Sequence, residues 1–125
     1  MSQQTILYVE DNEYNRKIVR QLLGKTSYRL LEAVDGEAGV AMAQAEKPDL
    51  ILMDVQLPKM SGLDATRLLK ADARTSHIPV IVITSFALSG DREKAAEAGA
   101  ASYLAKPYSP RELLTLVRQY LPEAG

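Results

Sequence analysis

Residues 50–58 read Leu50-Ile51-Leu52-Met53-Asp54-Val55-Gln56-Leu57-Pro58. Four apolar side chains run straight into a carboxylate, and a proline follows four positions later. A short, unbroken apolar run is the pattern of a strand covered on both faces. A charge inside such a strand is costly unless something compensates it. Asp54 therefore reads as the residue just past a strand at 50–53, and its surroundings decide what the chain is.

Working outward, apolar runs alternate with helix-like segments along the whole chain. Residues 5–9 form a first strand. Asn12 then caps a helix with the stripe Tyr14, Ile18, Val19, Leu22 and Leu23, stopped at Gly24. Residues 28–33 form a second strand, interrupted by Arg29 and Glu32. Asp35 opens an alanine-rich helix that Pro48 ends. After the third strand, Ser61 and Asp64 have the spacing of a capping box. A fourth strand covers 78–83, and a helix runs from about Ser89 to Ala98. A fifth strand covers 102–105. The last helix starts with Ser109 as cap, Pro110 at its first position and Glu112 closing the box.

Five strand–helix units, at about 5–24, 28–46, 50–71, 78–98 and 102–121, fill residues 1–125 as one domain. No linker or low-complexity tract divides them. This alternation predicts an α/β, doubly wound parallel sheet. Strands one, three and four suit its interior, and the charged strand two suits an edge.

Composition narrows the functions. The 125 residues carry a net charge of -1, which gives no electrostatic case for direct nucleic-acid binding. There is no cysteine, hence no disulfide, thiolate nucleophile or cysteine-held metal. The first residues have no basic run before a long apolar stretch. The expectation is a cytoplasmic protein without a leader and without membrane insertion.

In a parallel sheet, ligands bind outside the carboxyl ends of the strands. Those ends here carry Glu10 and Asp11, Asp54, Thr84 and Ser85, and Lys106 with Pro107. Strand two alone ends in a plain turn, Val34-Asp35-Gly36. Asp54 is accordingly expected to line a polar pocket rather than to be buried. Three carboxylates against one lysine leave a deficit that a divalent cation would balance. Oxygen-only ligands select a hard metal, and so few protein ligands suit magnesium better than calcium. Metal, ammonium and hydroxyl around one carboxylate are the parts that phosphoryl transfer needs, with the carboxylate itself as nucleophile.

At these residues, from VEDN through LILMDVQLPKMSG and IPVIVITSFA to YLAKPYSP, the sequence resembles the receiver domain of two-component response regulators, over essentially its whole length. The resemblance implies a flavodoxin-like fold with strand order 2-1-3-4-5 and five helices. It implies Asp54 as phosphoacceptor. It makes Asp11, Asp54 and the backbone carbonyl of Gln56 magnesium ligands, with Glu10 acting through water. Thr84 becomes the switch hydroxyl, Lys106 the phosphate-pairing lysine, Tyr103 the aromatic switch, and the Lys106–Pro107 bond cis. Glu10 stands where many relatives have Asp.

The implied function is a phosphorylation switch rather than an enzyme, though one that catalyses its own phosphorylation from small donors and its own dephosphorylation. The donor would be a sensor histidine kinase or a histidine phosphotransfer protein. Phosphorylation would reshape the surface of the fourth helix, fifth strand and fifth helix for a downstream protein, or for a phosphorylation-dependent dimer. A stand-alone receiver and a domain of a longer regulator or hybrid kinase both fit.

Each residue alone has a plainer reading: Asp54 as a turn, Glu10 and Asp11 as helix-dipole partners, Thr84 as a strand residue, Lys106 as a surface lysine, Tyr103 as core. His77, in a polar loop, reads as a loop residue. A haloacid-dehalogenase-like hydrolase would want a second Asp where Gln56 stands. A flavodoxin-like cofactor binder would want a Ser/Thr/Gly run where EDNEYN stands. A degenerate receiver acting as an adaptor would lack some of the site residues, and here the set is complete.

Phe86, two residues after Thr84, is bulky where many relatives carry a polar residue, and should hinder an in-line water. The phosphorylated Phe86→Ala variant should therefore lose its phosphoryl group faster than wild type, as followed by decay of phosphoprotein; an equal or longer lifetime in the variant refutes this.

Overall fold

A computed structural model describes residues 3–85 and 91–122. Five parallel strands, β1 (Thr5–Val9), β2 (Arg29–Ala33), β3 (Leu50–Asp54), β4 (Val80–Thr84) and β5 (Ser102–Ala105), form one sheet in the order 2-1-3-4-5. Five helices connect and follow them: α1 (Glu13–Leu23), α2 (Gly36–Glu46), α3 (Gly62–Ala71), α4 (Asp91–Ala98) and α5 (Pro110–Tyr120). This is the flavodoxin-like order expected. β1, β3 and β4 are buried along their full length, whereas β2 lies at an edge and is only partly covered.

Alternation along the strands divides the core in two. Ile6, Tyr8, Leu50, Leu52, Ile81, Ile83 and Leu104 pack against α1 and α5. Leu7, Val9, Ile51, Met53, Val80 and Val82 face α2, α3 and α4. Successive strand residues point to opposite faces, so each core takes every second residue.

The helix starts follow their capping chemistry. Asn12, Asp35, Ser61 and Ser109 each accept a backbone N–H of the first turn. The box at Ser109 and Glu112 is complete, with Pro110 in the first turn. At α3, Ser61 caps while the Asp64 carboxylate is engaged by Arg67 at 2.8 Å. The Lys106–Pro107 peptide is cis.

Three sequence expectations are corrected. The stripe of α1 is narrower than its periodicity predicts. Val19 and Leu23 are buried, but Tyr14 is 71% and Ile18 43% exposed. β4 begins at Val80 rather than 78, because Ile78 closes a turn with its N–H on the Thr75 carbonyl. The strands β3 and β4 each include the polar residue that ends them, Asp54 and Thr84. Phe86 and the expected start of the fourth helix at Ser89 lie outside the described residues.

One close approach fixes the loop after β3. Gly62, the first residue of α3, donates its N–H to the Val55 carbonyl at 2.9 Å. A Cβ there would stand 1.9 Å from the Asp54 carbonyl oxygen and 2.9 Å from the Val55 Cα. Backbone cannot yield as a flexible side chain does. Gly62→Ala should cost on the order of 3 kcal/mol or more, measured by urea unfolding; a loss below roughly 1 kcal/mol would show that the loop has room to shift.

Candidate phosphoacceptor site

In this strand order the chain changes direction between β1 and β3. α1 leaves to one face of the sheet and α2 to the other, opening a crevice at the carboxyl ends of these two strands. Glu10 directly follows β1, and Asp54 ends β3. Each continues the parity of the α1/α5 face, Glu10 from Tyr8 and Asp54 from Leu52. Lys106 follows β5 with the parity of Leu104. Three strand ends thus turn their charged side chains toward one side of the crevice.

Lys106 joins the other two. Its Nζ donates to Asp54 Oδ2 at 2.8 Å and to Glu10 Oε1 at 3.0 Å. Asp54 is 3% exposed and Glu10 2%, so the expectation that Asp54 escapes burial is corrected. The shared ammonium offsets the burial of both carboxylates. The Gln56 N–H adds a bond to Asp54 Oδ1 at 2.9 Å. Glu10 also accepts from the Tyr8 hydroxyl, the Asn15 amide and the Asn12 N–H.

These donors set the protonation of the pair. Burial pushes the Asp54 carboxyl up to about 6, reinforced by Glu10 and opposed by Lys106 and the Gln56 N–H. Burial also works against charge on Glu10, but hydrogen bonds with Asp54 and Lys106 outweigh it and hold Glu10 below its ordinary value. Two like charges sharing one cation cannot both be fully satisfied. Glu10, which accepts from Tyr8, Asn12, Asn15 and Lys106, keeps its charge, and Asp54, with fewer donors, carries the cost. Lys106 stays protonated: burial opposes its charge, and the two carboxylates more than restore it.

The remaining expected residues fall around this core. Thr84, 1% exposed, ends β4, and its carbonyl accepts the Lys106 N–H at 2.7 Å. Its parity follows Val80 and Val82, toward the α2–α4 face. Tyr103 packs on that same face, next to Val82 in the sheet register, with the Arg92 guanidinium 5.6 Å from its ring centroid. Asp11 and Gln56 are exposed at the rim. His77 is an exposed turn residue away from the site.

Among the described residues, no three acidic or imidazole side chains form a ready metal cluster. Lys106 stands between Glu10 and Asp54, and Asp11 faces solvent. The donor set still fits a hard divalent ion that keeps much of its water. It is made of oxygen, it is short of positive charge, and Asp54 holds its proton too tightly for a free surface carboxyl.

Tyr8 and Asn15 are site residues that the motifs did not single out. The signal for Tyr8 was available: it lies two residues before Glu10 on a strand, hence on the same face.

The chain belongs to the response regulator receiver domain family, whose model matches residues 6–118. It is 40% identical over 120 residues to the polar-differentiation response regulator DivK of Brucella anthropi, covering 96% of this chain and 98% of that protein. Among solved structures it resembles the receiver domain of the sensor histidine kinase PA1611 from Pseudomonas aeruginosa PAO1. That match has a TM-score of 0.88 and 38% identity, and covers 95% of this chain and 98% of that one. The PA1611 structure has a magnesium ion coordinated in its active-site cleft. The chemotaxis protein CheY4 of Vibrio cholerae gives a TM-score of 0.90 at 26% identity, covering 96% of this chain and all of that one. The protein is thus a receiver domain of two-component signalling, a phosphoacceptor family. Among the described residues, no helix is long and apolar enough to cross a membrane.

The raised Asp54 value has a definite consequence for the metal-free protein. Between about pH 4 and 6 the folded state binds a proton that the unfolded state has released, so stability falls as pH rises through 6. Asp54→Asn removes that penalty. It should stabilise the metal-free protein by about 3 kcal/mol at pH 8 and by little at pH 4. Urea unfolding in chelator at both pH values checks it; equal effects at the two, or destabilisation at pH 8, would refute it.

Proposed function

We propose that residues 1–125 act as a single receiver unit whose Asp54 accepts a phosphoryl group from a phosphohistidine donor with the help of magnesium. The observation that carries this reading is the Asp54 carboxylate, buried at the switch-point crevice, paired with Lys106 at 2.8 Å beside Glu10. In the transfer, an Asp54 oxygen attacks phosphorus, the P–N bond to the donor imidazole breaks, and the imidazole takes up a proton. Lys106 neutralises charge on the transferred group, and the Thr84 hydroxyl hydrogen-bonds it. Asp11, Asp54 and the Gln56 carbonyl would hold the magnesium, with Glu10 acting through water. Bound there, the ion would spread and neutralise the phosphoryl oxygens' charge.

Acetyl phosphate would serve as a small donor by the same attack, with a P–O bond breaking and acetate leaving. Hydrolysis of the resulting acyl phosphate would complete the chain's own dephosphorylation.

Two surfaces would carry the signal. The donor, a sensor histidine kinase or a histidine phosphotransfer protein, has to reach the crevice past α1, where Tyr14 and Ile18 stand exposed. A groove of about 550 Å³ runs there, lined by Ile18, Leu22, Lys106, Pro107, Tyr108 and Pro110 among others. The output face would be α4, β5 and α5, for a downstream protein or a phosphorylation-dependent dimer. Among the described residues of α4, the buried apolar ones are Ala95 and Ala98, a weak hold that suits an element changing position.

Incubation with acetyl phosphate tests the reading. Intact mass should show one added phosphoryl group on wild type with magnesium, and none without the metal or in Asp54→Ala. Hydrogen exchange should then change more in α4 than in α1. An unmodified wild-type protein in the presence of magnesium and a competent donor would overturn it.

A further inference from the structure

We propose that Tyr8 is a positioning residue for the metal site: its hydroxyl, delivered from near the carboxyl end of a central strand, fixes the Glu10 carboxylate in the orientation that the cation's water shell uses. The inference rests on the magnesium reading above and deepens it.

Tyr8 is 1% exposed and is surrounded on its face by Ile6, Leu52 and Ile81. An aliphatic side chain would fill such a place without a polar atom. A buried phenol must place its O–H, and this one donates to Glu10 Oε1 at 3.2 Å. The spacing of two along β1 makes that geometry a property of the strand rather than of a loop.

The donors on Glu10 are unevenly divided. Oε1 accepts from Tyr8, from Asn15 Nδ2 at 3.3 Å and from Lys106 Nζ at 3.0 Å. Oε2 accepts the Asn12 N–H, at 3.3 Å. One oxygen is thereby anchored, and the other keeps acceptor capacity for a metal-bound water. The three anchors differ in permanence. Lys106 is shared with Asp54, and on the proposed reading it would turn to a phosphoryl group arriving there. Asn15 is half-exposed on α1. Tyr8 alone is locked in the sheet, so it is the anchor that persists through the phosphorylation cycle. Groups that orient a metal's carboxylate from behind commonly set affinity by tenfold or more.

The chain has six tyrosines and no tryptophan, so tyrosine absorption and emission report these groups directly. Magnesium titration of the full chain, followed by calorimetry and by tyrosine spectra, tests the proposal. Tyr8→Phe should bind magnesium about tenfold more weakly than wild type. Tyr28→Phe, which removes a buried phenol that donates to the Leu121 carbonyl, should bind as wild type does. The effect of Tyr8→Phe should vanish in a Glu10→Gln background, which a general loss of packing would not do. If Tyr8→Phe does not fold, the Tyr8 protein still decides. The magnesium-induced change in its tyrosine spectrum should be present with Glu10 and absent in Glu10→Gln. Affinity within twofold of wild type in Tyr8→Phe, or an unaltered spectral change in Glu10→Gln, overturns the positioning role while leaving the metal site intact. A wild-type protein that binds no magnesium overturns both.

Discussion

The structure depends on one ammonium shared by two buried carboxylates. Glu10 and Asp54 come from adjacent strands, β1 and β3, and Lys106 from the sheet's far edge at β5. Without Lys106, two negative charges would meet in a space almost closed to solvent, at a cost of several kcal/mol per ion. With it, the pair remains strained rather than prohibited, and Asp54 carries the strain as a raised affinity for a proton. On the proposed reading, that is a useful condition for a nucleophile. The carboxylate is charged at neutral pH, yet paired with a lysine cation that an incoming anion could share.

The fold creates this meeting by topology. Parallel strands put all their carboxyl ends on one edge, and the reversal between β1 and β3 leaves that edge open where α1 and α2 diverge. β2, which contributes no polar group to the crevice, lies at the outside of the sheet. Gly62 sets the other wall. Its lack of a side chain lets the start of α3 approach the Asp54 carbonyl, so the loop carrying Gln56 is held down beside the carboxylate it hydrogen-bonds.

Much of this was legible in the sequence because it rests on local rules. Apolar runs, caps at Asn12, Asp35 and Ser109, and the proline and glycine punctuation gave the elements, and the charged strand two gave its own edge position. The acidic pair, Asp54 and Lys106 could be assigned to one edge because parallel strands leave no other arrangement. What periodicity does not encode is depth. Tyr14 and Ile18 fit the apolar stripe of α1 but are exposed rather than packed in the core. Asp54 looked like a pocket residue and is nearly enclosed, because only the fold shows how far Lys106 reaches. Tyr8 passed as one more strand residue, since its role depends on a hydroxyl that pattern-reading counts as apolar.

Parity along the strands places the acidic residues with Lys106 on one face and Thr84 with Tyr103 on the other. Glu10, Asp54 and Lys106 continue the α1/α5 face, where a donor would approach, whereas Thr84 and Tyr103 belong to the face covered by α2, α3 and α4. On the proposed reading, a phosphoryl group on Asp54 draws the Thr84 hydroxyl toward the crevice and vacates space on the opposite side of β4. Tyr103 lies next to Val82 on the neighbouring strand, restrained by packing and by the Arg92 guanidinium. An exposed cation–π contact is worth only about 0.5–1 kcal/mol, and α4 is seated on two alanines. The elements that would have to move are thus the weakly held ones, and the acidic nest that would drive them is held from three strands at once.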